Sequence, residues 1–288
     1  MTTVTTRPSR SGHGRSMATP AADPRPRPAW RSVAVPAEHG GWGLTLEPVV
    51  LGLALMPSWA GLAVGGAGLL AFVARTPGKL AIVDHRRGRT APRTVLARRI
   101  ATGEGVVIVV LAAVALALAG PAWLAPAALA APLVAVELWF DVRSRGRRLV
   151  PELCGAVGIA SLAPAVALAG GAPVAAAMVA WLLLAGRSLA AIPYVRAQVL
   201  RIHRPERAPG SWQVLGAQAA GLVAAVTAVA LVPAALAGAV AVAASSVVRL
   251  AGLRRPPRSA ARLGALESAL GMVVVVATAV GLHLGGAL

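Results

Sequence analysis

One cysteine, one tyrosine and two phenylalanines stand in a chain of 288 residues, and only 13% of it is charged. Cys154 alone can make neither an intrachain disulfide nor a cysteine-built metal cluster. Acids are nearly as scarce, ten against 28 Lys and Arg, for a formal charge of +18. A soluble domain carries roughly a quarter charged residues, so this composition excludes an ordinary soluble globule. Apolar residues fill the difference: 57% of the chain is hydrophobic, in runs longer than a soluble core needs. Ala and Gly are abundant in those runs, as suits helices packed closely in lipid.

Membrane-length apolar runs are expected at about His39–Trp59, Ala60–Arg75, Gly103–Ala119, Ala122–Phe140, Pro151–Ala169, Pro173–Val195, Trp212–Leu231, Pro233–Ala251 and Arg262–Leu284. Breakers punctuate them at Pro57-Ser58, Gly120-Pro121, Gly170-Gly171 and Pro233. The fold class is therefore all-α, a polytopic transmembrane bundle of about nine helices. Residues 1–36, rich in Ser, Thr, Pro and Arg, lack an apolar stretch of signal-peptide type and read as a disordered basic tail. Residues 37–288 form the multi-helix transmembrane domain.

The cations settle the expected sidedness. Six Arg lie in the tail, eight Lys and Arg in 75–101, four in 141–149, five in 187–207 and five in 249–262, which accounts for all 28. Every group falls on alternate connections, and the connections between carry none. This alternation across an odd number of helices puts the N-terminus in the cytoplasm and the C-terminus outside. The charge is thus explained without nucleic acid. Basic cytoplasmic loops instead imply contact with anionic phospholipid as the membrane-lipid partner.

Few polar groups remain inside the runs. Glu47 follows His39 by eight residues, roughly 12 Å deeper along a helix. A carboxylate at that depth needs a partner or water. Gly40, Gly43 and Glu47 share one stripe, and Pro48 follows. Glu137 and Asp141 are spaced i,i+4 and share a face; they could hold a cation or pair with Arg143 to Arg148. Glu104 and Glu152 fall in expected first turns, where capping explains them. Glu267 lies about a turn and a half into the last run. Arg187, Tyr194, Gln198 and Arg201 form one stripe of the sixth run. Arg187 reads as the only cation well inside an apolar run, so it is expected to meet an acid, Glu47 first and Glu137 second. His39 and His85 border the same surface, and His283 lies near the outer end. A weak internal echo links Pro77, Ala81 and Val83 after the second run to Pro193, Ala197 and Val199 at the sixth.

Several of these stretches resemble the YwiC-like membrane proteins of bacteria. They are Pro36-x-Glu38-His39-Gly40-x-Trp42-Gly43 with Glu47-Pro48, Pro77-x-Lys79-Leu80, Asp84-x-Arg86-Arg87-Gly88-Arg89, Glu137-Leu138-Trp139, and Pro193-Tyr194-Val195-Arg196 running into Gln198. The resemblance runs from about Val35 to the C-terminus and implies a bacterial plasma membrane, though no settled activity. More distantly, the helix number and the second/sixth echo are similar to the UbiA-type prenyltransferase fold. That fold has nine helices and a cytoplasm-facing pocket, with aspartate-rich motifs binding magnesium diphosphate. Here the corresponding positions offer Asp84 amid His85, Arg86, Arg87 and Arg89, and no acid before Glu206, so no metal site and no cofactor are expected.

Three functions stay open on the sequence. One is a pocket for an anionic lipid or isoprenoid-like ligand, perhaps a degenerate UbiA-like transferase. There Arg187, Lys79 and Arg86 would hold the anionic head, Tyr194, Gln198, Glu137 and Asp84 would line the site, and Glu47 with His39 would do the proton chemistry. The others are a proton-coupled transporter using Glu47, Glu137, Arg187 and Glu267, and a non-catalytic membrane scaffold.

Overall fold

The computed structural model describes residues 33–34, 39–143, 148–257 and 259–288, with the backbone alone at His39 and Gly40. The expected tail, 1–36, lies outside the described residues apart from Val33 and Ala34.

Nine helices are described, with no strand. They are α1 (His39–Leu55), α2 (Trp59–Arg86), α3 (Pro92–Ala119), α4 (Leu124–Val142) and α5 (Leu149–Ala169). Then follow α6 (Val174–His203), α7 (Ser211–Leu231), α8 (Leu236–Leu253) and α9 (Ala260–Leu284). From α2 onward, eight are long and apolar enough to cross a membrane; α1 has 17 residues and is the shortest. The chain is a multi-pass membrane protein. In lipid a backbone must satisfy its own hydrogen bonds, which leaves the helix as the only option for these runs.

The helices run further than hydropathy suggests. α2 continues past Arg75 to Arg86, α3 begins at Pro92 rather than Gly103, and α6 continues past Val195 to His203. Hydropathy marks only the apolar part of a helix, and these extensions carry the charged turns. Pro77, expected after the second run, lies inside α2, and Pro193, expected at the end of the sixth, lies inside α6. Glu104, expected in a first turn, sits well inside α3 for the same reason. Glu152 does fall in the first turn of α5 and pairs with Arg196 at 3.3 Å.

The span of α5 breaks at Ser161, and the cause is local. Pro164 has no N–H for the carbonyl of residue 160, so the ladder is interrupted there. The Ser161 amide then turns to the Gly158 carbonyl at 3.1 Å. Freed from it, the Val157 carbonyl accepts from Trp181 Nε1 at 2.9 Å. A backbone group exposed by the break is thereby satisfied from α6, as the membrane interior demands.

Packing follows the small residues. α6 is the central helix, with 67% of its apolar window buried, whereas α3 has 6% buried and faces outward. Against α7, a Cβ on Gly186 would lie 2.7 Å from that of Ala224, and one on Gly221 would lie 2.8 Å from the Gly186 carbonyl. Only glycine permits this approach. α1 packs between α5 and α9 and also touches α6. At the end away from the basic connections, Leu51, Leu55, Leu183, Val242, Val274 and Leu282 are buried in one apolar core. The buried charged groups Glu47, Arg187, Arg249 and Glu267 lie in the other half.

Candidate functional site

Four helices bring one ionised group each to a single place in the basic-end half. α1 presents Glu47 on the stripe that continues as Leu51 and Leu55, both fully buried. α6 presents Arg187 one turn from Leu183. α8 presents Arg249 on the stripe of Val242 and Ser245 or Ser246, and α9 presents Glu267 one turn from Gly271. All four are buried: 4% exposed for Glu47, 3% for Arg187, 0% for Arg249 and 8% for Glu267.

Arg187 Nη1 lies 2.9 Å from Glu47 Oε2, the partner expected first. Arg187 Nη2 donates to the backbone carbonyl of Glu267 at 2.6 Å. Arg249 forms a fork on the Glu267 carboxylate, with Nε 3.0 Å from Oε1 and Nη2 2.9 Å from Oε2. Two guanidinium groups and two carboxylates therefore make a quartet that is neutral as a whole. Such geometry offsets the desolvation of buried charge, because bidentate charged hydrogen bonds are strong where water is excluded. Two donors are left over. Arg187 Nε and Arg249 Nη1 are buried without a hydrogen-bond partner among the described residues. Ser246 Oγ, one turn from Arg249, is in the same condition.

Glycines make the room. A Cβ on Gly271 would overlap the Glu47 carboxylate and stand 2.5 Å from Arg187 Nη2. A Cβ on Gly43 would stand 3.3 Å from Ser268 Oγ and 3.7 Å from Glu47 Oε1. The close approach along the Gly43–Glu47 stripe is thus made by α9.

The other expected site residues separate into three further places. Glu137, the expected second partner of Arg187, instead meets Arg75 Nη1 at 2.6 Å. Asp141 takes Arg75 Nε at 3.0 Å and Lys79 Nζ at 2.6 Å. This clamp ties α2 to α4; among the described residues after α4, Arg143 stacks over the Trp139 ring at 3.7 Å. Lys79, paired with Asp141, and Arg187, paired with Glu47, belong to different networks. Asp84 is 2% exposed and accepts the Thr94 hydroxyl at 2.6 Å, which fastens the start of α3 to the end of α2. Arg86 lies at that same helix end, exposed.

Tyr194 and Gln198 serve the end of α8. Gln198 Nε2 donates to the Gly252 carbonyl at 3.1 Å, and Arg201 Nη1 donates to the Leu253 carbonyl at 3.1 Å. These carbonyls are the ones a helix leaves unpaired at its C-terminus. Tyr194 packs its hydroxyl against Gly252, beside a recess of about 180 Å³ that it lines with Val248, Ala251, Arg255 and Leu266. The side chain of His39 lies outside the described residues. His283 meets the Ala54 carbonyl at 2.8 Å, linking the far ends of α9 and α1.

Sequence reasoning missed Arg249, although it is the most deeply buried cation among the described residues. It stands only five residues before Arg254-Arg255, so the sequence groups it with that basic connection. The signal was present: Val242, Ser245 or Ser246, and Arg249 recur at helical spacing.

The Glu47-containing opening stretch and the α2 and α4 motifs now share one scaffold, and a comparison with known families covers all of them. Residues 35–167 match the family model described as YwiC-like protein. That YwiC-like segment takes in α1 to α4 and nearly all of α5, and so contributes Glu47 and the complete Arg75–Lys79–Glu137–Asp141 clamp. Arg187, Arg249 and Glu267, together with the Pro193-Tyr194-Val195-Arg196 motif, lie beyond the matched segment. Among curated proteins and among solved structures the chain has no match.

Proposed function

We propose that this YwiC-like membrane protein binds the anionic headgroup of a lipid or isoprenoid-like amphiphile in the half of the bundle nearer its basic loops. Arg187 and Arg249 are the anion-binding groups, and Glu47 is the carboxylate that makes way. The observation carrying this reading is that the two guanidinium groups keep unpartnered N–H donors, Arg187 Nε and Arg249 Nη1, inside a four-helix junction. Buried donors without acceptors are rare and costly, and a phosphate or carboxylate oxygen is the acceptor that suits them. The apolar core around Leu51, Leu55 and Leu183 closes the far side, so entry is from the basic end. With the basic end in the cytoplasm, the site faces inward.

Charge balance adds a second feature. The quartet is neutral, so an anion entering alone would leave a net buried negative charge, which a low-dielectric bundle resists. Glu47, displaced from Arg187, is neutralised by a proton, and His39 stands two turns nearer the basic end to relay it. Binding is then a coupled uptake of anion and proton. This favours proton-coupled movement of the ligand over a purely structural bundle.

The test is equilibrium binding of farnesyl phosphate and of phosphatidic acid to the purified chain. Arg187→Gln should weaken binding at least about tenfold, the cost of one charged hydrogen bond. Glu47→Gln, which removes the competing carboxylate, should keep or tighten it. Equal loss in both variants would contradict the proposal and leave a structural ion pair.

A further inference from the structure

A second basic place, separate from the quartet, lies where α2 and α4 end. Arg86 and Arg87 close α2, Arg87 as its C-cap, and Arg143 is the C-cap of α4. With Val83 and Val142 these three arginines line a recess of about 190 Å³.

The neighbouring acids do not neutralise it. Asp84 faces inward, 2% exposed, and accepts from Thr94. Asp141, 6% exposed, faces inward to Arg75 and Lys79. Among the described residues the lining therefore holds three guanidinium groups and no carboxylate. A helix dipole favours a cation at each C-terminus, but it does not account for three around one hollow, where like charges repel. Arg143 is held rather than loose, its guanidinium 3.7 Å over the Trp139 ring. Stacking of this kind aims the fork and leaves its edge N–H groups for an acceptor.

Beside the recess the helix surface is apolar and exposed. Ile82 is 46% exposed, Leu138 44% and Trp139 57%. A charged hollow bordered by exposed apolar side chains and a tryptophan is the pattern of the water–lipid boundary. The volume is below the roughly 300 Å³ at which pockets begin to enclose a drug-sized molecule, so it suits a headgroup alone.

We propose that this recess binds the phosphate of an anionic phospholipid, its chains lying outside against Ile82, Leu138 and Trp139. Arg86, Arg87 and Arg143 share the phosphate oxygens, and the lipid joins the ends of α2 and α4. The site does not depend on the quartet or on what the quartet binds.

Native mass spectrometry of the detergent-purified full chain, titrated with phosphatidylglycerol and with phosphatidylcholine, tests it. Phosphatidylglycerol should be retained in preference. The triple variant Arg86→Gln/Arg87→Gln/Arg143→Gln should bind it on the order of tenfold or more weakly, given the contribution of each basic residue at a membrane surface. A control of equal charge loss, Arg99→Gln/Arg204→Gln/Arg254→Gln, should leave affinity unchanged; all three positions are exposed. Arg143→Lys keeps the charge without the stacked fork and should fall between, which separates binding from folding. Equal weakening in the control would overturn the site in favour of diffuse charge. Displacement of the lipid by millimolar inorganic phosphate would overturn the lipid assignment in favour of a soluble phosphate compound.

Discussion

Gly271 of α9 gives the Glu47 carboxylate of α1 the space it occupies: a Cβ at position 271 would overlap that carboxylate and press on Arg187 Nη2. The ion pair is possible because a neighbouring helix omits a side chain. Gly271→Ala should therefore destabilise the protein by about 1–3 kcal/mol, the usual range for an overpacked core. Gly264→Ala, where nothing lies within 4 Å, should change little. Thermal melting of both variants in detergent checks the contrast, and equal melting temperatures would refute the close approach.

Arg249 and Glu267 should behave as a unit. Removing Arg249 leaves a buried carboxylate without its two-point partner, which costs about 3–5 kcal/mol. Replacing both by apolar residues of similar size, Arg249→Met with Glu267→Leu, should recover most of that loss. A double-mutant cycle on melting free energies measures the coupling, and strict additivity would mean that the fork contributes nothing.

The α2–α4 clamp is unequal in its parts. Asp141 holds two cations and is buried, whereas the Lys79 side chain is 40% exposed. Asp141→Asn should cost on the order of 1–3 kcal/mol, and Lys79→Met less than about 1 kcal/mol, as for exposed pairs. Added salt should narrow the Lys79 effect first, which melting at low and high ionic strength would detect.

Orientation can be read with reporters. Alkaline phosphatase fused after Leu288 should be active in a bacterial host, and the same enzyme fused after Arg204 should be silent. The reverse pattern would invert the bundle and place the quartet toward the exterior.

Much of this was legible in the residues. The nine helices follow from apolar run length, and the pairing of Arg187 with Glu47 follows from the cost of leaving either alone in lipid. Helix ends were less legible, because a helix such as α2 continues for eleven residues after its apolar signal stops at Arg75. Partners were least legible. On the sequence Glu137 could meet Arg187 or the arginines from Arg143 to Arg148, and only the packing of α2 against α4 brings Arg75 to it. Arg249 was hidden by its neighbours Arg254 and Arg255, although its own stripe runs through the buried Val242, Ser245 and Ser246. The fit of Gly271 to Glu47 is a relation between distant segments, which no local pattern encodes.

The most direct test of the central claim is the number of protons taken up when the anion binds. Titration calorimetry of farnesyl phosphate, repeated in buffers of different ionisation enthalpy, reports that number. The account predicts about one proton per ligand, with affinity rising up to about tenfold for each unit of pH lowered, as linkage requires. In Glu47→Gln the uptake should fall to zero while binding persists. Binding without proton uptake in the unaltered protein, or unchanged uptake in Glu47→Gln, would contradict it.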